Sequence, residues 1–309
     1  MGLRVVWCQD LNFWVYPGGA EQTDRQLVIA GIRRGHEIEL ITPERFSSAE
    51  TVKCDLVVFS NIHVLMQTTP KQLLKLAERG PYVMWHHDYF CRYRLYYPML
   101  EKCKQCSYLD PWRKLYNNSL LNIFMSPLHR KAFLFAMPEL QAHPYALVPS
   151  AIDTKKYEHE PVDPKPNTVI GVNSLFGFKG STSVLEYAKL HPELAFTFVG
   201  GNEVNTLPLN CQYLGFKEGK ELVDLYASHE SFIHLPTCIM PCDRTPAEFI
   251  IANPKGRLIV NNNIGILSYS NIIKDGKINR EELIRLVSSS AETFWKAVEE
   301  HLGGLVKHD

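Results

Sequence analysis

The sequence predicts an α/β protein: two Rossmann-like, doubly wound parallel-sheet domains in tandem, facing a shared cleft. Three observations carry this. Short apolar runs such as "LRVVWCQ", "CDLVVFSN" and "LAFTFVGG" are continuous rather than alternating, as strands buried on both faces require. Stretches with helical spacing of apolar residues separate them, so strand and helix take turns. The alternation stops once, in a polar, proline-bearing segment between Ile152 and Asn167, and then restarts. With 309 residues, the chain is long enough for two such domains.

In the first domain, residues 1–155, "LRVVWCQ" is a strand. The helix "AEQTDRQLVIAGIRRG" follows, with Leu27, Val28 and Ile32 spaced for one face and Gly35 as its stop. "HEIELIT" and "CDLVVFSN" are strands, "PKQLLKLAERG" is a helix and "PYVMWHHD" is a strand. "LLNIFMSP" and "YALVPS" are strands on either side of the helical "LHRKAFLFAM". The second domain, residues 165–285, starts with the strand "TVIGVNS" and the helix "TSVLEYAKLHP". The strands "LAFTFVGG" and "CQYLGF" come next, then the helix "GKELVDLYASH" with Leu222, Leu225 and Tyr226 in register. The strand "SFIHLP", the helix "TPAEFIIA" and the strand "GRLIVN" complete it. The C-terminal run "NREELIRLVSSSAETFWKAVEEHLGG" reads as helix with little to break it. Its part in 286–309 holds Phe294 and Trp295.

The composition is 45% hydrophobic and 21% charged, ordinary for a soluble globular protein. Lys+Arg and Asp+Glu number 33 each, which argues against a dedicated nucleic-acid binder. No apolar run is long enough to span a bilayer, and "MGLRVVWCQD" reads as a strand rather than a leader, so the expected compartment is cytoplasmic. Peripheral contact with a membrane stays open. In that setting the 8 cysteines read as thiols or metal ligands before disulfides.

Three motifs carry chemistry. In "YPGGAEQ", Gly18 and Gly19 permit close backbone approach to a ligand at a helix N-terminus; the plain alternative is a turn. In "FGFKGS", Lys179 beside Gly180 sits at a strand-to-helix junction and can meet a phosphate as a point charge, or simply be a solvated lysine. In "DRTPAE", Arg244 offers a planar fork, Thr245 a hydroxyl, and Glu248 a carboxylate able to accept two ribose hydroxyls. The plain alternative for Glu248 is a carboxylate stabilised by the helix dipole.

The order of these motifs along two tandem α/β domains resembles the GT-B fold glycosyltransferases, in particular the retaining family-4 enzymes, over most of the chain. "PGGAEQ…LVIAGIRRGHEIELIT" resembles the family's N-terminal glycine motif, first helix and second strand. "PYVMWHHD" resembles its strand ending in histidine, and "VPSAIDTKKY" the segment that closes its first domain. "NSLFGFKGSTSVLEYAKLHPELAFTFVGG" resembles the opening of its second domain. "PCDRTPAEF" is similar to a branch in which "PRT…EA" replaces the commoner "PFG…EA". The resemblance implies a metal-independent, hexosyl-type transfer with retention, from a nucleotide-diphosphate sugar to a glycan or glycosylated acceptor, with no further cofactor. Lys179 and Arg244 would hold the diphosphate, Glu248 the ribose, and backbone around Gly215 and Phe216 the base. Gly19 would approach the phosphate, and His87 would face the donor sugar, with His86 as the fallback; the terminal helix of 286–309, with Phe294 and Trp295, would pack back on the first domain. Replacing Lys179 or Arg244 by alanine is expected to weaken nucleotide binding and leave the fold intact.

The chain departs from the family at three points. The arginine of the family's "GRL" is Ser174 here, the first of two glutamates eight positions apart is Met240, and "ANPKG" adds residues after Glu248. Asp243 is the carboxylate placed to substitute for the missing one at the sugar. Met240 and Ser174 favour a rival reading, a catalytically impaired nucleotide-sugar binding protein or partner subunit. A non-hydrolysing epimerase of the same fold would need more carboxylates than the chain supplies. In "HHDYFCRYRLYYPMLEKCKQC", Cys91, Cys103 and Cys106 with a histidine could ligate zinc, but there is no second C-x-x-C, and reduced thiols without a metal are the preferred reading. The tyrosines and arginines of that stretch, from Tyr89 to Tyr97, suit stacking on an acceptor sugar or packing of an insertion.

Overall fold

A computed structural model describes residues 2–16, 18–46, 52–85, 87–89, 109–159 and 162–305. The chain divides into two compact units, residues 1–152 with 287–309, and residues 153–286. Among the described residues, no helix is long and apolar enough to cross a membrane.

In the first unit, β1 (Arg4–Cys8), β2 (Glu37–Ile41), β3 (Leu56–Ser60), β4 (Tyr82–Trp85), β5 (Leu121–Phe124) and β6 (Tyr145–Leu147) form one parallel sheet. Its order is β2-β1-β3-β4-β5-β6, so the winding direction reverses between β1 and β3. Every residue of β3, β4 and β5 is buried, which explains their mostly apolar sequence, and the polar Ser60 and Asn122 among them are hydrogen-bonded.

Helix α1 (Gly19–Arg33) buries Leu27 and Val28, but Ile32 is 51% exposed, contrary to the face expected from spacing. Gly31 takes the inward place. A Cβ on Gly31 would lie 2.7 Å from both the Trp295 ring and Ile38, so only glycine lets the C-terminal helix dock there. Trp295 is fully buried and donates its indole N–H to the Leu27 carbonyl at 2.7 Å. Its neighbour Phe294 lies 5.6 Å from Trp7 and 5.8 Å from Trp85 between ring centroids.

The C-terminal run is two helices rather than one, α9 (Arg280–Ser288) and α10 (Ser290–Leu305). The break falls in the serine triplet 288–290, where the Ser290 hydroxyl donates to the Val287 carbonyl at 3.0 Å. Serine competes with the helix ladder in this way. Two helices had no counterpart in the sequence reading, α2 (His63–Thr68) and α4 (Asp110–Asn118). The second carried a readable signal, since Trp112, Leu115 and Tyr116 repeat at helical spacing and are all buried.

Helix α5 (Pro127–Ala136) opens with a reciprocal cap. The Ser126 hydroxyl accepts from the His129 N–H at 3.0 Å, while His129 Nδ1 accepts from the Met125 N–H at 3.1 Å. The ring must be neutral to do this. Burial holds His129 down to about 3, only partly opposed by the Asp88 carbonyl, and the His87 charge adds to the lowering. The unfolded chain therefore binds a proton near pH 6.5 that the fold refuses. This contribution to stability is complete above pH 6.5 and is lost as pH falls toward 3, on the order of a few kcal/mol. Acid unfolding followed by circular dichroism is expected to show about one proton fewer taken up in His129→Gln, which keeps an acceptor and cannot titrate. An identical pH slope in the variant would place the acid sensitivity elsewhere.

In the second unit, β7 (Lys165–Val172), β8 (Ala195–Val199), β9 (Cys211–Tyr213), β10 (His229–His234) and β11 (Arg257–Val260) form a parallel sheet ordered β11-β10-β7-β8-β9. The reversal falls between β7 and β10. Val169, Leu175, Val184, Ala188, Phe196, Phe198 and Ile233 make one core cluster. Around it lie α6 (Ser181–Leu190), α7 (Gly219–Ser228) and α8 (Arg244–Ala252). In α7 the inward face is Val223, Tyr226 and Ala227, rotated from the expected one, so Leu222 and Leu225 are half-buried.

The stretch expected to be a linker has structure of its own. Thr154–Tyr157 form a 3-10 turn, and β7 begins at Lys165. A small antiparallel hairpin, Ile273–Lys274 with Lys277–Ile278, also went unread. Its signal is Asp275-Gly276, whose positive φ values of 52° and 73° fit a tight hairpin turn.

Candidate functional site

Parallel sheets bind ligands beyond the carboxyl ends of their strands, at the point where strand order reverses. In the second unit that point lies past β7 and β10, and the "FGFKGS" and "PCDRTPAE" segments both issue from it. The loop after β10 is fastened there on every side. Gly180, at φ +86°, has no room for a Cβ, which would overlap the Leu235 carbonyl oxygen. Thr237 donates its N–H and hydroxyl to the Phe178 carbonyl at 3.3 and 3.2 Å. Asn261 and Asn263 each donate a side-chain amide to the Pro236 carbonyl at 2.9 Å. The polar "NNNIG" after β11 is thus the fastening of the β10 loop.

Lys179 is half-buried in this corner, its ammonium 5.9 Å from the Phe178 ring centroid. It also lies close enough to Asp243 to act on its charge. Asp243 does not reach outward as expected. Its Oδ2 accepts from Nε2 of the wholly buried His234 at 2.8 Å, tying the loop back to the end of β10. Burial raises the Asp243 carboxyl, but the His234 ring and the Lys179 ammonium outweigh it and hold the group below the usual carboxylate range. Asp243, the carboxylate expected at the sugar, thus commits one of its two oxygens to anchoring the loop after β10. His234 was missed because a lone histidine ending an apolar strand looks like core.

Helix α8 begins at Arg244, and the side chain of its N-cap residue, Asp243, makes no capping hydrogen bond to it. Glu248 is inside the helix rather than at its start. Arg244 Nε donates to Glu248 Oε1 at 3.1 Å, with the two side chains 11% and 8% exposed. The Tyr226 hydroxyl lies 3.5 Å from Glu248 Oε2, and the Tyr157 hydroxyl hydrogen bonds into the same pair. Burial and the Glu248 charge push the Tyr157 hydroxyl up, so it stays a donor. Arg244 and Glu248, expected to hold separate parts of a ligand, are brought together into one buried ion pair. The expectation that Arg244→Ala spares the fold does not survive this burial.

Gly215 and Phe216 follow β9 at the same end of the sheet. Gly215 has φ +72° and accepts the Gly200 N–H at 2.9 Å; Phe216 is 65% exposed. At the two departures, Ser174 is buried and donates to the Ile233 carbonyl at 3.2 Å, and Met240 bridges Ile264 through its backbone. Both positions stitch the loops together.

In the first unit the reversal lies past β1 and β3. Asp10, from the loop after β1, accepts from the Val64 and Leu65 N–H groups at 2.7 and 3.0 Å and so caps α2. Burial pushes its carboxyl up to about 6 against the pull of those donors. Gly18 is the N-cap of α1, with Gly19 as its first residue, but the helix end is not open. The Glu21 carboxylate folds over Gly18, in the space a Cβ would need, and accepts its own backbone N–H. The anion place expected for a phosphate already holds the chain's own anion.

His87 is buried at the end of β4, its Nε2 2.7 Å from Asp24 Oδ1. Trp85 donates to the same oxygen at 2.8 Å, and Ser60 to Oδ2 at 2.6 Å. His86, Cys91, Cys103 and Cys106, and the run from Arg92 to Tyr97, lie outside the described residues. Tyr89 is buried against His129 and Phe133.

No protein-family model matches the sequence, and no curated protein sequence matches it. Solved structures do match along almost the whole chain. HepE of Anabaena, in complex with UDP-glucose, superposes with a TM-score of 0.64 at 14% identity over 99% of this chain and 100% of that one. The catalytic domain of starch synthase IV from Arabidopsis thaliana, bound to ADP and acarbose, gives 0.64 at 13% over 98% and 100%. AviGT4, a glycosyltransferase involved in avilamycin A biosynthesis, gives 0.62 at 12% over 97% and 98%. The fold is GT-B. Within GT-B terms, the first unit is the N-terminal Rossmann-like half and the second unit the C-terminal half. The long "ANPKG" connection after Glu248 is a tight turn, with Asn253 accepting from and donating to the backbone around it.

Proposed function

We propose that the protein is a retaining glycosyltransferase that moves a hexosyl group from a nucleotide-diphosphate sugar to a sugar-containing acceptor in the cytoplasm, without a metal. The observation that carries this is the fastened corner at the β7/β10 reversal, which brings the half-buried Lys179 to the loop that leads into the N-terminus of α8 with Arg244 and Thr245. A nucleoside diphosphate is what HepE and starch synthase IV hold in common. Here Lys179 and Arg244 take the diphosphate as a point charge and a planar fork. Glu248 accepts the ribose hydroxyls, which replace the Tyr226 and Tyr157 hydroxyls as partners of the lone pairs that Arg244 does not use. Phe216 and the Gly215 backbone meet the base. Phosphates are assigned to the second unit, because Glu21 guards Gly18 and Gly19.

The bond to break is between the anomeric carbon and the leaving phosphate oxygen. Charge grows on the diphosphate as it leaves, and the cations and helix N-terminus are already aimed where it develops. That pre-aimed charge makes a metal unnecessary. His87 faces the donor sugar. The second reading, a nucleotide-sugar binder acting as a partner subunit, draws on Ser174 and Met240, which supply neither the cation nor the carboxylate expected there.

Titration calorimetry with UDP, ADP and GDP is expected to find one preferred nucleotide. Lys179→Ala should lose about 1.5–3 kcal/mol of its binding, roughly 10- to 100-fold in affinity, with the fold unchanged. Lys179 is half-buried and makes no direct salt bridge among the described residues, and Asp243, on which its charge acts, keeps the bond to His234 when it is removed. Equal affinity in the variant would remove Lys179 from the site.

A further inference from the structure

We infer that Asp24 is a positioning residue that sets the tautomer and orientation of His87, leaving His87 Nδ1 as the atom presented to ligand. The inference rests on the glycosyltransferase reading for its catalytic part and on geometry alone for the rest. Asp24 sits on the buried face of α1, three and four residues before Leu27 and Val28, and is 1% exposed. A carboxylate there is costly unless every lone pair in reach is used. Three elements converge to use them: Ser60 ending β3, Trp85 ending β4, and His87 just beyond β4.

The identities of these donors fix the proton. An indole nitrogen only donates, so Trp85 makes Oδ1 an acceptor. His87 Nε2 meets that same oxygen at 2.7 Å and must therefore carry a hydrogen. In the neutral ring Nδ1 is then the lone-pair nitrogen. Among the described residues it is buried and has no hydrogen-bond partner. The ring is held from the side as well, edge-on to Trp85 with centroids 4.7 Å apart. An imidazole clamped at one nitrogen and bare at the other can accept from a sugar hydroxyl. When protonated, it can donate to a sugar oxygen instead, with Asp24 balancing the charge.

Asp24→Asn separates charge from shape. Trp85 forces the amide oxygen to stay on the Trp85 and His87 side, and the Ser60 hydroxyl can turn to accept from the new amide. The tautomer then persists while the negative charge is gone. Nitrogen-15 spectra of histidine-labelled protein, recorded where the ring is neutral and assigned with His87→Gln, are expected to show hydrogen on Nε2 and a bare Nδ1. In Asp24→Asn, kcat for transfer should fall about 10- to 100-fold with donor KM within about twofold, and the His87 nitrogens should shift. A neutral His87 carrying hydrogen on Nδ1 in the unmodified protein overturns the inference. So does Asp24→Asn with unchanged kcat and unchanged ring spectra. If the unmodified protein transfers no sugar, the glycosyltransferase reading fails, and the tautomer alone then decides the role of Asp24.

Discussion

Arg244→Ala is expected to cost both nucleotide binding and fold stability. Arg244 and Glu248 are 11% and 8% exposed, and the guanidinium is the cation bonded to that carboxylate at 3.1 Å. Removing Arg244 leaves the buried Glu248 charge with the Tyr226 and Tyr157 hydroxyls beside it among the described residues, which costs about 3–5 kcal/mol in comparable cases. Urea unfolding should show a lower midpoint, and calorimetry should find nucleotide affinity reduced at least as much as in Lys179→Ala. A double change separates the two effects. Arg244→Met with Glu248→Leu replaces the pair by apolar side chains of similar volume, and such swaps are often neutral or stabilising. The double variant is expected to regain stability and still fail to bind nucleotide. If it binds as well as the unmodified protein, the pair is structural only, and the ribose and diphosphate must be held elsewhere.

Gly180→Ala should be comparably severe for a different reason. At φ +86° an L side chain is strained by about 1–3 kcal/mol, and here the new Cβ would overlap the carbonyl of Leu235. The obstacle is backbone, so it cannot rotate away. Either the Gly177–Gly180 turn lifts, moving Lys179, or the loop after β10 shifts, moving Pro236 off Asn261 and Asn263. Both routes misplace the phosphate corner. The expected result is loss of nucleotide binding by more than in Lys179→Ala, together with a lower unfolding midpoint. By contrast Gly215→Ala, at φ +72° but with nothing near its Cβ, should cost only the backbone strain. Equal behaviour of the two variants would mean that the close approach at Leu235 does not hold the site.

Much of this was legible in the sequence because it rests on local rules. Strands such as "VVWC", buried on both faces, cannot hide their apolar runs, and the second restart of the pattern after Asn167 announces a second sheet. Lys179, Gly180 and the "DRTPAE" helix were found because strand-to-helix junctions place them. What was not legible depends on contacts far apart in the chain. Ile32 was expected inside because spacing cannot see that Trp295 needs the room beside Gly31. Arg244 and Glu248 were given separate tasks although their i, i+4 spacing puts them on one helix face. His234 and Asp243 lie nine residues apart, joined only when the loop after β10 folds back. Asp24 carried a signal that went unused: a charge on the apolar face of α1 demands partners, and Ser60, Trp85 and His87 are those partners.

The central claim is transfer of a sugar with retained configuration. Its most direct measurement is proton NMR of the anomeric signal during incubation of the purified protein with the preferred α-linked nucleotide-hexose and a panel of sugar acceptors. The expected result is release of nucleoside diphosphate together with a new α-linked product, formed much more slowly in Lys179→Ala at the same donor concentration. An inverted, β-linked product would contradict retention. No turnover, with nucleotide-sugar bound no more tightly than the bare nucleotide, would contradict the enzyme itself.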